Sequence, residues 1–229
     1  MTRTHVSFSD LRTAAYCLRK LYYQRTNDED REPPPEVGRI RGLERRYEQM
    51  LEAPAAALED EPIGISPAQY CERLAATRDR LADSGQWERL RNPRDRDVFL
   101  TGRDCRGLVQ KVLDEPLEPV LVSPGEPPPQ GVWDTQTVHA VAAAKALAWE
   151  HETPIERAWL EYPAYGIVRS LELTVRRKAR YRRVLRTVRE LDGPPPRTTN
   201  RSKCESCEFA GECGVKTRTL RSLLGFGSS

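Results

Sequence analysis

Cys204, Cys207 and Cys213 form a C-x2-C-x5-C cluster near the end of this 229-residue chain. Six cysteines in a chain of this length are too few for a disulfide scaffold, and clustered thiols read first as metal ligands. Three local thiolates need one more donor to complete a four-ligand shell. Cys17, close to the other end of the sequence, is the expected fourth, and its recruitment would tie the two ends of the molecule together. Zinc is expected on two pairs of ligands in a compact knuckle. Here there is no local fourth cysteine, and His139 and His151 fall in or beside a predicted helix, which makes them weaker ligands. Two-then-five spacing with a distant fourth thiolate suits a cubane, whose corners lie several ångströms apart. The expectation is a [4Fe-4S] cluster on Cys17, Cys204, Cys207 and Cys213, with zinc the second choice, acting as a clasp rather than a redox centre. Cys71 and Cys105 stand alone and read as small apolar residues.

A second chemistry lies just upstream. Arg176, Arg177, Lys178, Arg180, Arg182, Arg183, Arg186 and Arg189 crowd one predicted helix, from Val175 to Leu191. Arg176, Arg180 and Arg183 share one helical face, and Arg182, Arg186 and Arg189 a neighbouring one. Val175, Ala179, Val184, Leu185 and Val188 supply its apolar side. Such a stripe neutralises phosphates and releases counterions. Arg176, Arg177, Arg180, Arg183 and Arg186 are therefore the expected nucleic-acid contacts. The competing reading is a solvated helix in an arginine-rich chain, since the net charge is only +3. Tyr22, Tyr23 and Tyr181 could stack on bases, with core or rim packing as the alternative.

The elements that must position these groups follow from periodicity. Leu11, Ala14, Ala15, Leu18, Leu21 and Tyr22 predict one amphipathic helix of about 15 residues carrying Cys17, capped by Ser9 or Asp10. A second helix is expected from Glu36 to about Ala53, and a third segment from Pro67 to about Leu90. The pattern then turns strand-like over Asp97–Thr101, Gly107–Leu113 and Pro119–Ser123, with a hairpin turn at Asp114. A long helix capped by Asp134 or Thr135 runs to Glu150. Short strands are expected at Ala158–Tyr162, Tyr165–Val168 and Ser170–Thr174. The order predicts an α/β mixed sheet flanked by helices. It also predicts a single domain over 1–220, with a helical insertion at 54–92, the cysteine cluster at 197–216 and a flexible tail at 221–229. The longest uncharged apolar run, Val138–Ala144, is too short to cross a membrane, and the start shows no signal-peptide stretch. A cytoplasmic location without membrane contact is the expectation.

The chain resembles the RecB-like exonuclease family associated with CRISPR systems, which is also similar to the nuclease domain of a eukaryotic helicase–nuclease. The resemblance rests on Cys17 followed by the basic-aromatic stretch to Tyr23, and on a second helix around Gly38 to Gly42. It rests also on a central hairpin followed by a helix, and on a proline-rich approach from Pro194 to the cysteine cluster. It implies a restriction-endonuclease-like fold, a [4Fe-4S] cluster, and single-stranded or end DNA as substrate. It also implies divalent-metal hydrolysis by carboxylates on adjacent strands, aided by a Lys, a helix His and a Gln-x3-Tyr pair.

The sequence departs from that pattern at each of these positions. Gln110 stands where the first acid belongs, Leu121 and Ser123 where Glu and Lys belong, and Gly42 where the helix His belongs. His139 and Ala143 occupy the Gln-x3-Tyr pair; shifted by three, Gln136 pairs with Ala140 and the Tyr is still missing. Asp114 and Glu126 flank the second strand but read as solvated loop acids, so Mg or Mn binding is not expected, because hard cations need carboxylate oxygens. The expectation is a catalytically degenerate relative that binds DNA or assists an active nuclease or CRISPR adaptation partner. Two alternatives stand beside it: an active exonuclease with displaced acids, and an iron–sulfur protein without DNA contact.

Overall fold

A computed structural model describes residues 5–27 and 33–214. The expected tail at 221–229 and the last two residues of the expected cysteine region lie outside the described residues. The sheet is mixed and six-stranded: β1 (Val6–Ser7), β2 (Asp95–Thr101), β3 (Cys105–Leu113), β4 (Glu118–Val122), β5 (Arg157–Tyr162) and β6 (Ile167–Glu172). The order is β1-β3-β4-β5-β6, with β2 along the other edge of β3. Strands β2, β3 and β4 run antiparallel in sequence, β4 and β5 pair in parallel, and β6 returns antiparallel to β5. The parallel step needs a crossover, and α7 (Asp134–Glu150) supplies it.

Helices cover both faces. α1 (Phe8–Tyr16), α7 and α8 (Val175–Arg189) enclose one core, which contains Leu11, Leu100, Val109, Val141, Leu160 and Tyr181. α4 (Tyr47–Glu52), α5 (Pro67–Ala82) and α6 (Gln86–Arg91) enclose the other, around Met50, Tyr70, Leu74, Trp87, Val120 and Trp159. Alternation along the strands produces the division: Val120 and Trp159 face one layer, Leu121 and Leu160 the other. The segment expected as a helical insertion, 54–92, thus forms much of one covering layer.

Several expected elements are divided. The first helix breaks at Cys17, whose backbone is extended (φ −159°, ψ 115°), and resumes as α2 (Leu18–Thr26). Ser7, rather than Ser9 or Asp10, caps α1 by accepting a hydrogen bond from the Asp10 N–H at 2.9 Å. The second expected helix becomes α3 (Pro35–Gly42), a 3-10 turn over Leu43–Arg45, and α4. Gly85, at φ +67°, separates α5 from α6; only glycine takes that conformation without steric cost. The two short strands expected after Tyr165 are one strand, β6. On α8, Val175 and Ala179 are exposed and Tyr181 takes their place on the buried side.

One buried charged group joins the sheet to the α3–α4 connection. Lys111, 1% exposed, sits 2.5 Å from Glu44 and 2.7 Å from Glu161, and donates to the Leu90 carbonyl at 3.0 Å. Arg96 reaches the other Glu44 oxygen at 2.8 Å. Burial raises the pKa of Glu161, with Lys111 opposing the shift. Removing one member of such a group leaves uncompensated buried charge. Lys111→Met is expected to destabilise the protein by about 3–5 kcal/mol, as read by urea denaturation, whereas substituting an exposed arginine such as Arg73 should change stability by less than about 0.5 kcal/mol.

Candidate functional site

The cysteine positions come together. Cys17, at the extended link between α1 and α2, lines one small cavity of about 20 Å³ with Cys204, Cys207 and Cys213. Cys204 lies on α9 (Ser202–Glu205), a single helical turn, and the other two on the turns that follow. None of the four is in a disulfide, and each is partly exposed. Partial desolvation, then repulsion from Cys17, Cys207 and Cys213, raises the Cys204 thiol above its ordinary pKa. Arg19, Lys20, Arg197 and Lys203 line the same cavity, and the Arg197 charge opposes that shift. Among the described residues, no three His, Cys, Asp or Glu side chains converge tightly enough to hold one metal ion.

The protein also holds these ends together directly. Lys203 Nζ donates to the Tyr16 carbonyl at 2.9 Å and lies 4.8 Å from the Tyr16 ring centroid. Arg19 donates to the Pro195 carbonyl at 2.9 Å, and the Tyr23 hydroxyl to the Glu212 carbonyl at 3.2 Å. Phe209, 2% exposed, stacks on Tyr23 with ring centroids 5.8 Å apart. The break at Cys17 is therefore a site feature: it turns α2 so that one side of it receives the C-terminal segment. Tyr23 is committed to this packing, and Tyr181 is buried with its hydroxyl donating to Cys105 Sγ at 3.2 Å, so neither is free for base stacking.

Of the positions expected to be emptied of catalytic groups, Gln110, Leu121 and Ser123 lie on or just beyond the neighbouring strands β3 and β4, and Gly42 ends α3. Gln110 Oε1 accepts the Val122 N–H at 2.9 Å, where the β3–β4 ladder has ended at Lys111 and Val120. Ser123 Oγ accepts from Gln136 Nε2 at 2.9 Å, and Gln136 Oε1 accepts from the Tyr162 hydroxyl at 2.5 Å. Leu121 is buried in the core beneath α7. Ser123, Gln136 and Tyr162 are thus joined by hydrogen bonds between neutral groups, and Gln110 is satisfied separately by backbone. Asp114 lies in the β3–β4 turn and Glu126 in a loop, both exposed. Gln136 was reached in the sequence only through a shifted register; in the fold it, rather than His139, bonds Ser123.

His139 lies one turn further along α7, against Phe8, with ring centroids 5.7 Å apart. Its Nε2 is sealed from solvent without a hydrogen-bond partner. Burial, then the charges of Arg12 on α1 and Arg41 on α3, lowers its pKa from 6.5 to about 3. Sequence periodicity gave no reason to single out Arg12, Arg41 or the Glu44–Lys111–Glu161 group. The visible signals were Lys111, which precedes Val112 and Leu113, and Glu161, which lies between Leu160 and Tyr162.

On α8, Arg177 donates to the Glu172 carbonyl at 2.6 Å and Arg180 pairs with Asp134 at 2.7 Å. Arg189 pairs with Asp104 at 2.8 Å. Arg176, Arg182, Arg183 and Arg186 are exposed and make no ion pair with a described residue. No described helix is long and apolar enough to cross a membrane.

No family model matches the chain, and no curated protein matches it. Among solved structures, one described as the crystal structure of SSO0001 is similar at 10% identity and a TM-score of 0.44, covering 95% of this chain and 89% of that one.

The His139 shift carries a pH consequence. A base whose folded pKa is depressed leaves stability intact above the unfolded value of about 6.5. That stability is lost as pH falls toward the folded value, because the unfolded chain takes up the proton first. Stability should fall between pH 7 and pH 5, by at most about 1.4 kcal/mol per pH unit from this group. Chemical denaturation of wild type and His139→Asn at pH 7, 6 and 5 should show a flatter dependence in the variant.

Proposed function

We propose that this chain is a nucleic-acid-binding protein of restriction-endonuclease-like fold, clasped by a [4Fe-4S] cluster and without hydrolytic activity. The observation that carries this reading is the meeting of Cys17 with Cys204, Cys207 and Cys213 on one cation-lined cavity. The donor set fits the cofactor: four thiols, none oxidised to a disulfide, with Arg19, Lys20, Arg197 and Lys203 to balance an anionic centre. Zinc, the second choice, requires its four donors drawn in to about 2.3 Å from one ion. A cubane accepts thiolates spread over its corners. When bound, the cluster supplies cross-linking between α1–α2 and the C-terminal segment; Tyr16, Tyr23 and Lys203 position that segment whether or not the cluster reacts.

The loss of hydrolysis is supported by the neutral side chains of Gln110, Ser123 and Gln136, which are occupied by hydrogen bonds within the fold. A divalent ion bridging water and phosphate needs carboxylate oxygens, and at these positions an amide, a hydroxyl and Leu121 stand instead. The antiparallel hairpin followed by the α7 crossover agrees with the fold that the resemblance implies. Arg176, Arg183 and Arg186 remain available for phosphates, with Arg182 beside them, while Arg177 and Arg180 contribute charge from within intramolecular contacts. Such a protein would hold single-stranded or end DNA, alone or beside an active nuclease partner in CRISPR adaptation.

Protein purified without oxygen should be brown and contain about four irons per chain, and Cys17→Ser should lose them. Stoichiometric zinc without iron would overturn the cofactor. A labelled single-stranded oligonucleotide should bind without being degraded in Mn2+. Neutralising Arg176, Arg183 and Arg186 together should lower the log–log salt slope by about 2, at about 0.7 per phosphate contact. Degradation of the oligonucleotide would show that displaced acids still work.

A further inference from the structure

We infer that the cavity between the β2–β3 turn, α7 and α8 holds one nucleotide of a single strand, with its base stacked on Trp149 and its phosphate on Arg103 and Lys145. The inference rests on the nucleic-acid reading above and deepens it by naming where a base sits. The cavity, of about 300 Å³, is lined by Arg103, Asp104, Cys105, Lys145, Trp149 and Tyr181 among others. That volume is at the small end for ligand pockets, which suits one base rather than an extended cofactor. Lys145 and Trp149 lie four residues apart on α7 and so share one face. Trp87, Trp133 and Trp159 each donate the indole N–H to a fixed acceptor. Trp149, 56% exposed, donates to none among the described residues. Arg103 and Lys145 are also exposed, and neither forms an ion pair or hydrogen bond with a described residue. The acid of the group, Asp104, is taken by Arg189 at 2.8 Å, which leaves the cavity net positive. A nucleotide offers the complement of an open ring and two unpaired cations: a π-face and a phosphate.

The turn that carries Arg103 is held from several sides. A Cβ on Gly102 would lie 2.6 Å from the Ala146 backbone, so the turn sits directly on α7. Glu150 accepts the Thr101 N–H, and the Asp104 carbonyl accepts the Val6 N–H at 3.1 Å. The floor is neutral. The Tyr181 hydroxyl donates to Cys105 Sγ at 3.2 Å, and Cys105 Sγ donates to the Ala142 carbonyl at 3.6 Å. Burial pushes the Cys105 thiol up to about 11, so it keeps its proton at neutral pH. Both hydrogens of the floor are thus committed within the fold. Recognition rests instead on ring stacking and charge, which every base and phosphate satisfy, so binding should tolerate sequence. On α8, Arg182, Arg186 and Arg189 share one face, and Arg189 reaches Asp104 in the cavity wall. The exposed Arg182 and Arg186 therefore extend the cationic surface from the cavity along α8, where the next phosphates of the same strand would lie.

Tryptophan fluorescence tests this. Trp87 and Trp159 are buried, so in full-length Trp133→Phe protein the exposed emitter is Trp149. Oligothymidylate should quench it saturably, and the quenching should weaken as salt rises. An abasic strand of the same length should bind without quenching. By anisotropy of labelled oligothymidylate, Trp149→Ala should weaken binding at least about fivefold, and Trp149→Phe, which keeps a ring, should recover part of the loss. Arg103→Gln and Lys145→Gln should each lower the log–log salt slope by about 0.7, whereas Arg73→Gln, on the exposed face of α5, should leave it unchanged. Trp149→Ala binding as wild type does, or an abasic strand quenching as fully as oligothymidylate, would overturn the stacking cavity while leaving binding through α8 intact. Saturable quenching by thymidine monophosphate, lost in Lys145→Gln, in a protein that binds no oligonucleotide would sustain the cavity as a nucleotide site and overturn the nucleic-acid reading.

Discussion

The Lys111 ammonium between Glu44 and Glu161 is the contact on which the arrangement of this protein turns. It joins three parts of the chain: β3, β5 and the turn between α3 and α4. In a low-dielectric interior none of the three charges is tolerable without the others. The group therefore fixes where α3 ends relative to the sheet.

β3 makes this two-sided role possible through an irregularity. Val109 and Val112 both reach the core under α7, while Lys111 and Leu113 reach the opposite layer. Strict alternation would put residues 109 and 111 on the same face. The phase slips at Gln110, across from Asp97, whose φ of +52° adds local twist to β2. Gln110 then leaves the regular ladder and its side chain, instead of backbone, takes the Val122 N–H. The opening between β3 and β4 and the burial of Lys111 are two results of one backbone adjustment.

Periodicity in the sequence located the sheet strands from Asp97 onward, the long helix α7 and the basic helix α8 within a few residues. It did so because those segments bury one consistent face. It joined α1 to α2 because Leu18 and Leu21 continue the helical stripe of Leu11 and Ala15. What breaks that helix is the extended Cys17, next to Tyr16, whose hydroxyl and carbonyl bond Lys203, and no local pattern reports so distant a partner. The two-residue strand β1 was invisible for the same reason: its pairing with Cys105 and Arg106 is tertiary. Cysteine spacing, by contrast, was legible because thiol clusters have few other uses in such a chain.

The cation distribution separates three roles that composition alone merges. Arg19, Lys20, Arg197 and Lys203 surround thiols, Arg96 and Lys111 neutralise buried carboxylates, and Arg12 and Arg41 have no bonded acid among the described residues. The exposed arginines of α8 form a fourth group whose energetics are dominated by solvent and salt. A cation on α8 can be exchanged for another with little structural effect. Lys111 cannot, because Glu44 and Glu161 are buried against it and would be left uncompensated.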